Sequence, residues 1–487
     1  MNFIPPFDET RLRAAASGTL ASGKPVVVNA DETVSVVSGE SGNQSLGTET
    51  QLKATASKNF STTYDSNSDR FVVCFDAGNE GFAVVINLGT DNSVTAGTPV
   101  KFGDSNGETN IAAIFDSNSN RVVIGYKDSG NSNNATGIVG SVDPSDNSIA
   151  FGTKVQWSTG NPTYLSGVFD STNNKVVFNY NDNSNSEYGT TVTGTVDPSD
   201  NSISFGSVVV WNSARSRYIA SSYDPDRNKI IVCYTHSNSV NQLRVRRVNG
   251  TSTTAVTGPI TASADNDWRY PTMAYDTKND KTLLAWKGAG GTGGSKTRVI
   301  SLDSDGAATL GSEVTFDSST SIAYLDSVYN ATAQFVVLVH KGKGTNNNHG
   351  VFKPISISGT TPTVGSEVSF ASGETNFITV ASRDAQVCVG FEDDDDSDYS
   401  KAIGITLAYS TTTLTSENYI GMSSGGQVAS GSNATVDIIG TVNAEQSSLT
   451  AGQQYFVQTD GTIDLTADNP SVFAGTAISA TELVVKA

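Results

Sequence analysis

An aromatic beat runs through this chain and constrains its fold more than any other feature. Tyr64, Phe115, Phe169, Tyr223, Tyr275 and Tyr329 each end a short apolar run. Eleven residues after each stands a second ring, at Phe75, Tyr126, Tyr180, Tyr234, Trp286 and His340, and a degenerate seventh pair is Val380 and Phe391. Successive second marks lie 51, 54, 54, 52, 54 and 51 residues apart. A period near fifty with several strands per copy predicts a β-propeller. Each repeat reads as strand A up to the first mark, a turn rich in Asp, Asn and Ser, and strand B up to the second mark. A variable polar loop, strand C and strand D follow.

Strand D carries its own pattern, Gly-[Ser/Thr]-x-Val-x-aromatic. It occurs at Gly97–Phe102, Gly152–Trp157, Gly206–Trp211, Gly311–Phe316 and Gly365–Phe370, with a weaker copy at Gly258–Thr261. Strands A to C recur seven times, the last set spanning Phe377 to Leu407, but strand D follows only six of them. A D-like segment, Gly47 to Leu52, precedes the first repeat. The economical reading is a seven-bladed ring over 47–411 closed by this N-terminal strand, which leaves no open sheet edge.

The flanks are an N-terminal attachment segment, 1–46, and a small C-terminal β domain, 412–487. They resemble each other: Leu20, Gly23, Val28, Asp31, Thr33 and Val34 recur 429 residues later as Leu449, Gly452, Val457, Asp460, Thr462 and Ile463. Both read as hairpins, and ring closure would bring them into one small β module. The most helix-like stretch is Glu9 to Ala16. The whole is expected to be all-β.

A formal net charge of −19 repels nucleic-acid phosphates and anionic bilayers, so neither is an expected partner. No run approaches twenty apolar residues, so no membrane insertion is expected. Met1 to Arg13 lacks the apolar core of a secretion signal. Cys74, Cys233 and Cys388 all fall in B strands and read as buried small apolar residues.

The repeat core Tyr/Phe-Asp-Ser-x-x-x-[Arg/Lys]-x-Val-x-x-Tyr, with the strand D pattern, resembles repeats in virion fibre and appendage proteins of marine tailed phages, notably those of cyanobacteria. The C-terminal stretches Asn418 to Gly421, Leu449 to Thr462 and Ser471 to Thr481 resemble a terminal module of the same proteins. The resemblance implies a virion location, attachment to other virion proteins through the terminal module, a symmetric homo-oligomer, and recognition of a host-surface glycan or protein. It implies no catalytic residue.

Two constellations are candidate sites. Five places before each first mark stand Asn59, Asn110, Tyr164, Tyr218, Tyr270, Tyr324 and Thr375. Four consecutive tyrosines, with Trp268 and Arg217 close in sequence, could stack on sugar rings and bond their hydroxyls. The competing reading is packing between blades. The acidic run after Glu392 offers Asp393, Asp394, Asp395, Asp396 and Asp398 as oxygen ligands for Ca²⁺, although the spacing is not that of an EF-hand loop. No other cofactor is expected. The repeated Asp65, Asp116, Asp170, Asp224 and Asp276 fit turn caps.

No zinc-ligand spacing, nucleophile elbow or phosphate loop is present, and the chain reads as not an enzyme. The expected function is a virion fibre or appendage that displays its propeller for host recognition. The rivals are a polysaccharide-degrading enzyme on the same scaffold and a structural decoration without a receptor.

Overall fold

The computed structural model describes residues 11–29, 31–37, 39–42, 44–103, 107–237, 240–263, 268–288, 294–319, 322–342, 348–412, 414–459, 461–468 and 470–486. Among these the chain is all-β, broken only by 3₁₀ turns such as Ser129–Asn131, Asn183–Asn185 and Asp394–Asp396. No helix is long and apolar enough to cross a membrane. Chain contacts divide it into two units: residues 1–43 with 408–487, and residues 44–407. In the most helix-like stretch, Glu9 to Ala16, the described part Arg11–Ala15 is a strand paired with Asn433–Asp437, and the ladder overrides its weak helical propensity.

The larger unit has a β-propeller fold. In the second repeat, strand A is Glu108–Asp116, B is Arg121–Asp128 and C is Asn134–Asp143; Ser148–Phe151 and Val155–Ser158 complete the antiparallel sheet. The same order recurs along the chain. Three strands, Thr50–Asp65, Val209–Asp224 and Val368–Arg383, run without a break from the D position of one repeat into strand A of the next. Among the described residues no sheet closes on itself.

Strand A of each repeat touches strand A of the next, and Val368–Arg383 touches Thr50–Asp65. Three-residue segments of these strands line a channel of about 360 Å³: Phe60–Thr62, Ile111–Ala113, Leu165–Gly167, Ile219–Ser221, Pro271–Met273, Leu325–Ser327 and Ile378–Val380. The N-terminal strand also pairs with the last strand C. Thr50 faces Ala402, Gln51 faces Lys401, and Ser45–Leu46 faces Ile405 and Thr406.

B strands bury both faces, which explains their unbroken apolar runs such as Phe71-Val72-Val73-Cys74-Phe75. One face packs on the preceding repeat and the other on the following one. The cluster holding Phe71, Phe75 and Val84 of the first repeat includes Ala381, Cys388 and Ala402 of the seventh. The three cysteines are buried free thiols. The second marks of the beat, from Phe75 to Phe391, are fully buried. The six aromatic first marks are only half-buried; Tyr64, Phe115, Phe169 and Tyr223 lie around a second opening. They pack at the edges of the core clusters, as Tyr64, Phe115, Phe169, Tyr223 and Tyr329 do.

Two recurring letters of the repeat join neighbouring repeats. The glycine opening strand D lies so close to the next repeat that a Cβ would strike backbone. It would overlap the carbonyl oxygen of Asn147 at Gly97, of Asn201 at Gly152 and of Thr251 at Gly206. Gly47 makes the same approach to the Asn92 oxygen of the first repeat. The basic residue opening strand B clamps the same turns. Arg70 Nε donates to Asn147 Oδ1 at 2.7 Å and its Nη2 to the Pro144 oxygen at 2.8 Å. Arg121 repeats this on Asn201 and Pro198. In the seventh repeat Gln386 stands at that place, and its amide reaches the Gly89 oxygen and Asn92 Oδ1 of the first repeat at 2.9 and 2.8 Å. The aspartates after strand A act as turn caps: Asp65 Oδ1 accepts from the amides of Asn67 and Ser68.

The smaller unit holds two five-stranded sheets. One has the order Arg11–Ala15, Asn433–Asp437, Tyr419–Ser424, Pro25–Val28, Val34–Val36. The other has the order Val442–Asn443, Leu483–Val485, Val472–Ala477, Gln454–Val457, Ile463–Asp464. The hairpins 25–36 and 454–464 hold the same places in the two sheets, so the offset of 429 marks a structural duplication whose first copy borrows its hairpin from the N-terminal end. Asp460, one residue of the matched set, lies outside the described residues.

Candidate functional site

Every A–B ladder slips at one place, between Lys58 and Ser61, Thr109 and Ala112, Thr163 and Ser166, Arg217 and Ala220, Arg269 and Thr272, Ala323 and Asp326, and Asn376 and Thr379. The slip is a β-bulge, and its leading residue has left-handed backbone. Those residues are Asn59, Asn110, Tyr164, Tyr218, Tyr270, Tyr324 and Phe377, with φ of 58°, 53°, 52°, 50°, 49°, 55° and 48°. Asparagine tolerates this region; a bulky aromatic in it is strained by about 1 kcal/mol. Five successive repeats nevertheless carry one.

The rings form a continuous arc. Centroids lie 4.8 Å apart for Tyr164 and Tyr218, 6.5 Å for Tyr218 and Tyr270, 5.4 Å for Tyr270 and Tyr324, and 4.7 Å for Tyr324 and Phe377. All five are half-buried. Each immediately precedes the channel-lining residues of its strand, so the arc borders the channel at that end. Burial above all raises the phenol pKa of Tyr164, Tyr270 and Tyr324, which stay neutral donors. The Asn110 side chain accepts the Tyr164 amide at 2.8 Å, anchoring the arc at its first member.

Arg217 lies beside the arc and is held by Glu187: Nε to Oε2 at 3.1 Å and Nη2 to Oε1 at 3.0 Å. Trp268 does not join it. The indole is fully buried, 5.3 Å from Trp286, in the core shared by the fourth and fifth repeats. Its expected ligand contact is corrected on that ground. Thr375 is likewise corrected. It is buried, and the seventh position of the arc belongs to Phe377. The A–B turn of that repeat is Asp384-Ala385, two residues shorter than the others, so Ser382 and not Val380 occupies the first-mark register.

The acidic loop divides its work. Asp393 Oδ1 caps the turn at the Asp395 amide, 3.1 Å, and its Oδ2 takes Lys401 Nζ at 2.5 Å. Asp396 also pairs with Lys401, at 3.0 Å, and Asp395 Oδ2 accepts the Glu374 amide at 3.0 Å. Those three expected ligands are thus committed to Lys401 and to the Asp395 and Glu374 amides. Asp394 and Asp398 instead meet Glu392, a residue that the charge run alone does not single out; one carboxylate oxygen of each lies within 4.8 Å of the others. A second such group, Asp317, His340 and Glu367, already holds a cation, since Lys353 Nζ lies 3.2 Å from Glu367 and 4.0 Å from Asp317. The variable B–C loops are described only in part; residues 238–239, 289–293 and 343–347 lie outside the described residues.

No protein-family profile and no curated protein matches the chain. Among solved structures it is similar to the periplasmic gluconolactonase PpgL of Pseudomonas aeruginosa, at 11% identity and a TM-score of 0.47, covering 73% of this chain and 97% of that one. It is similar to a putative 6-phosphogluconolactonase from Bacteroides uniformis, at 12% identity and a TM-score of 0.44, covering 74% and 97%. It is also similar to the Dos1 propeller, at 11% identity and a TM-score of 0.42, covering 74% and 94%. Such distant likeness concerns the fold alone. It does overturn one expectation: enzymes stand among the chain's structural neighbours, so the reading of this chain as not an enzyme is withdrawn.

Proposed function

We propose that this chain is a virion appendage of a tailed phage, whose repeats form a seven-bladed ring and whose aromatic arc recognises a host-surface glycan. The virion assignment rests on the repeat and terminal motifs of the sequence. Closure of the ring by residues 45–56 is supported by their ladder with Tyr399–Thr406, by the Gly47 approach to Asn92, and by the cycle of inner-strand contacts. The smaller unit is the part proposed to attach to other virion proteins, in a homo-oligomer.

The observation that carries glycan recognition is the arc itself. Five half-exposed rings sit side by side in backbone that favours asparagine, although Asn59 and Asn110 show that the bulge forms without them. Strain retained at one repeated place points to use of the side chains. Ring faces suit the apolar faces of sugars, while phenol hydroxyls and the Arg217–Glu187 pair offer donors and acceptors. A surface protein receptor is the alternative ligand. Binding of the purified chain to host cells and to host polysaccharide tests the reading. Tyr164→Ala with Tyr270→Ala is expected to weaken both at least tenfold in a chain that still folds; unchanged binding by the folded variant would sink it.

A further inference from the structure

We propose that Glu392, Asp394 and Asp398 form a calcium site on the seventh repeat. The three carboxylates converge within 4.8 Å, two from the ends of one loop and one from the penultimate residue of strand B. The independent observation is Glu392. It is 6% exposed, its Oε1 accepts from the Asn376 amide at 3.5 Å, and its Oε2 has no hydrogen-bond partner. A buried carboxylate oxygen left unpaired beside two others is unfavourable unless a proton or a cation satisfies it. The Lys341 ammonium is taken by Glu374 and by Asn376 Oδ1 at 2.8 Å.

The arrangement is fixed from several sides. Asn376 Nδ2 bridges Glu392 to Asp394 Oδ1, the latter at 3.3 Å. The Asp398 carbonyl accepts the Ser57 amide of the N-terminal strand at 2.8 Å. All three ligands are oxygens, and the site has an exposed side at Asp394 where water can complete the shell. Hard oxygen donors of high charge favour Ca²⁺ over Mg²⁺, which demands a tighter octahedron, and over Zn²⁺, which favours nitrogen and sulfur. The assignment is independent of the glycan reading, so either can fail alone.

Calorimetric titration of the full chain with CaCl₂ and, separately, MgCl₂ tests it, with thermal melts beside it. The expected result is one Ca²⁺ per chain, a raised melting midpoint, and weaker Mg²⁺ binding. Glu392→Gln and Asp398→Asn should each weaken Ca²⁺ at least tenfold, whereas Asp396→Asn, on the same loop but outside the cluster, should stay within twofold. Asp394→Asn, at an exposed position, keeps the test open where Glu392→Gln disturbs the strand, and it too should lose affinity. No Ca²⁺ binding by the native chain, equal affinity for Mg²⁺, or an equal loss in Asp396→Asn would overturn the site.

Discussion

With Thr50→Cys and Ala402→Cys, the oxidised chain should resist urea far more strongly than the reduced one. The two positions face each other across the ladder between the N-terminal strand and the last strand C. A bond there closes a loop of roughly 350 residues, for which the chain-entropy account gives about 6 kcal/mol. On the proposed ring closure, unfolding of the larger unit starts at this ladder, because it joins the first and last strands of that unit, which no short turn connects. Unfolding curves with and without reductant, against the single Thr50→Cys variant, measure the effect. A pair that stays reduced under oxidising conditions, or a bond that leaves the midpoint unmoved, would contradict the closure.

Glu108→Gln should stabilise the protein at pH 8 and leave it unchanged at pH 4. Glu108 is fully buried at the start of the second inner strand, and neither carboxylate oxygen has a partner. Burial, then the nearby Asp128 and Asp76, pushes its pKa up from 4.5 to about 7. A carboxyl raised in the folded state gives full stability below the unfolded pKa. That stability declines as pH rises between about 4.5 and about 7, and the loss is constant above. The neutral, nearly isosteric amide escapes the penalty, which is on the order of 3 kcal/mol at pH 8. Urea midpoints at the two pH values check this. An equal effect at both would mean that the gain comes from packing and not from charge.

How far the sequence reached depended on what its spacing recorded. The beat located the repeats because both marks sit on strands joined by a turn of constant length. The one repeat with a shortened turn, at Asp384-Ala385, displaced the register by two residues and hid Phe377 behind Thr375. Trp268 was drawn in by closeness in sequence to Tyr270, yet it precedes the strand and turns into the core. The acidic run showed charge but not direction. Around one 3₁₀ turn Asp393, Asp395 and Asp396 point to the Asp395 and Glu374 amides and to Lys401, and only Asp394 and Asp398 reach Glu392. The left-handed backbone beneath the tyrosines had a faint signal, the asparagines at the same place in the first two repeats.

Those asparagines supply the most direct test of the arc as a ligand surface. Tyr218→Asn with Tyr270→Asn installs the residue that the bulge already accepts at Asn59 and Asn110. Relief of strain then offsets most of the lost ring contact, so stability should stay within about 1 kcal/mol of the native chain. Affinity for host polysaccharide, measured on the same preparation, should fall at least tenfold. Native affinity together with a stability loss of about 3 kcal/mol or more, the size expected for core aromatics, would make the arc packing between blades and contradict the account.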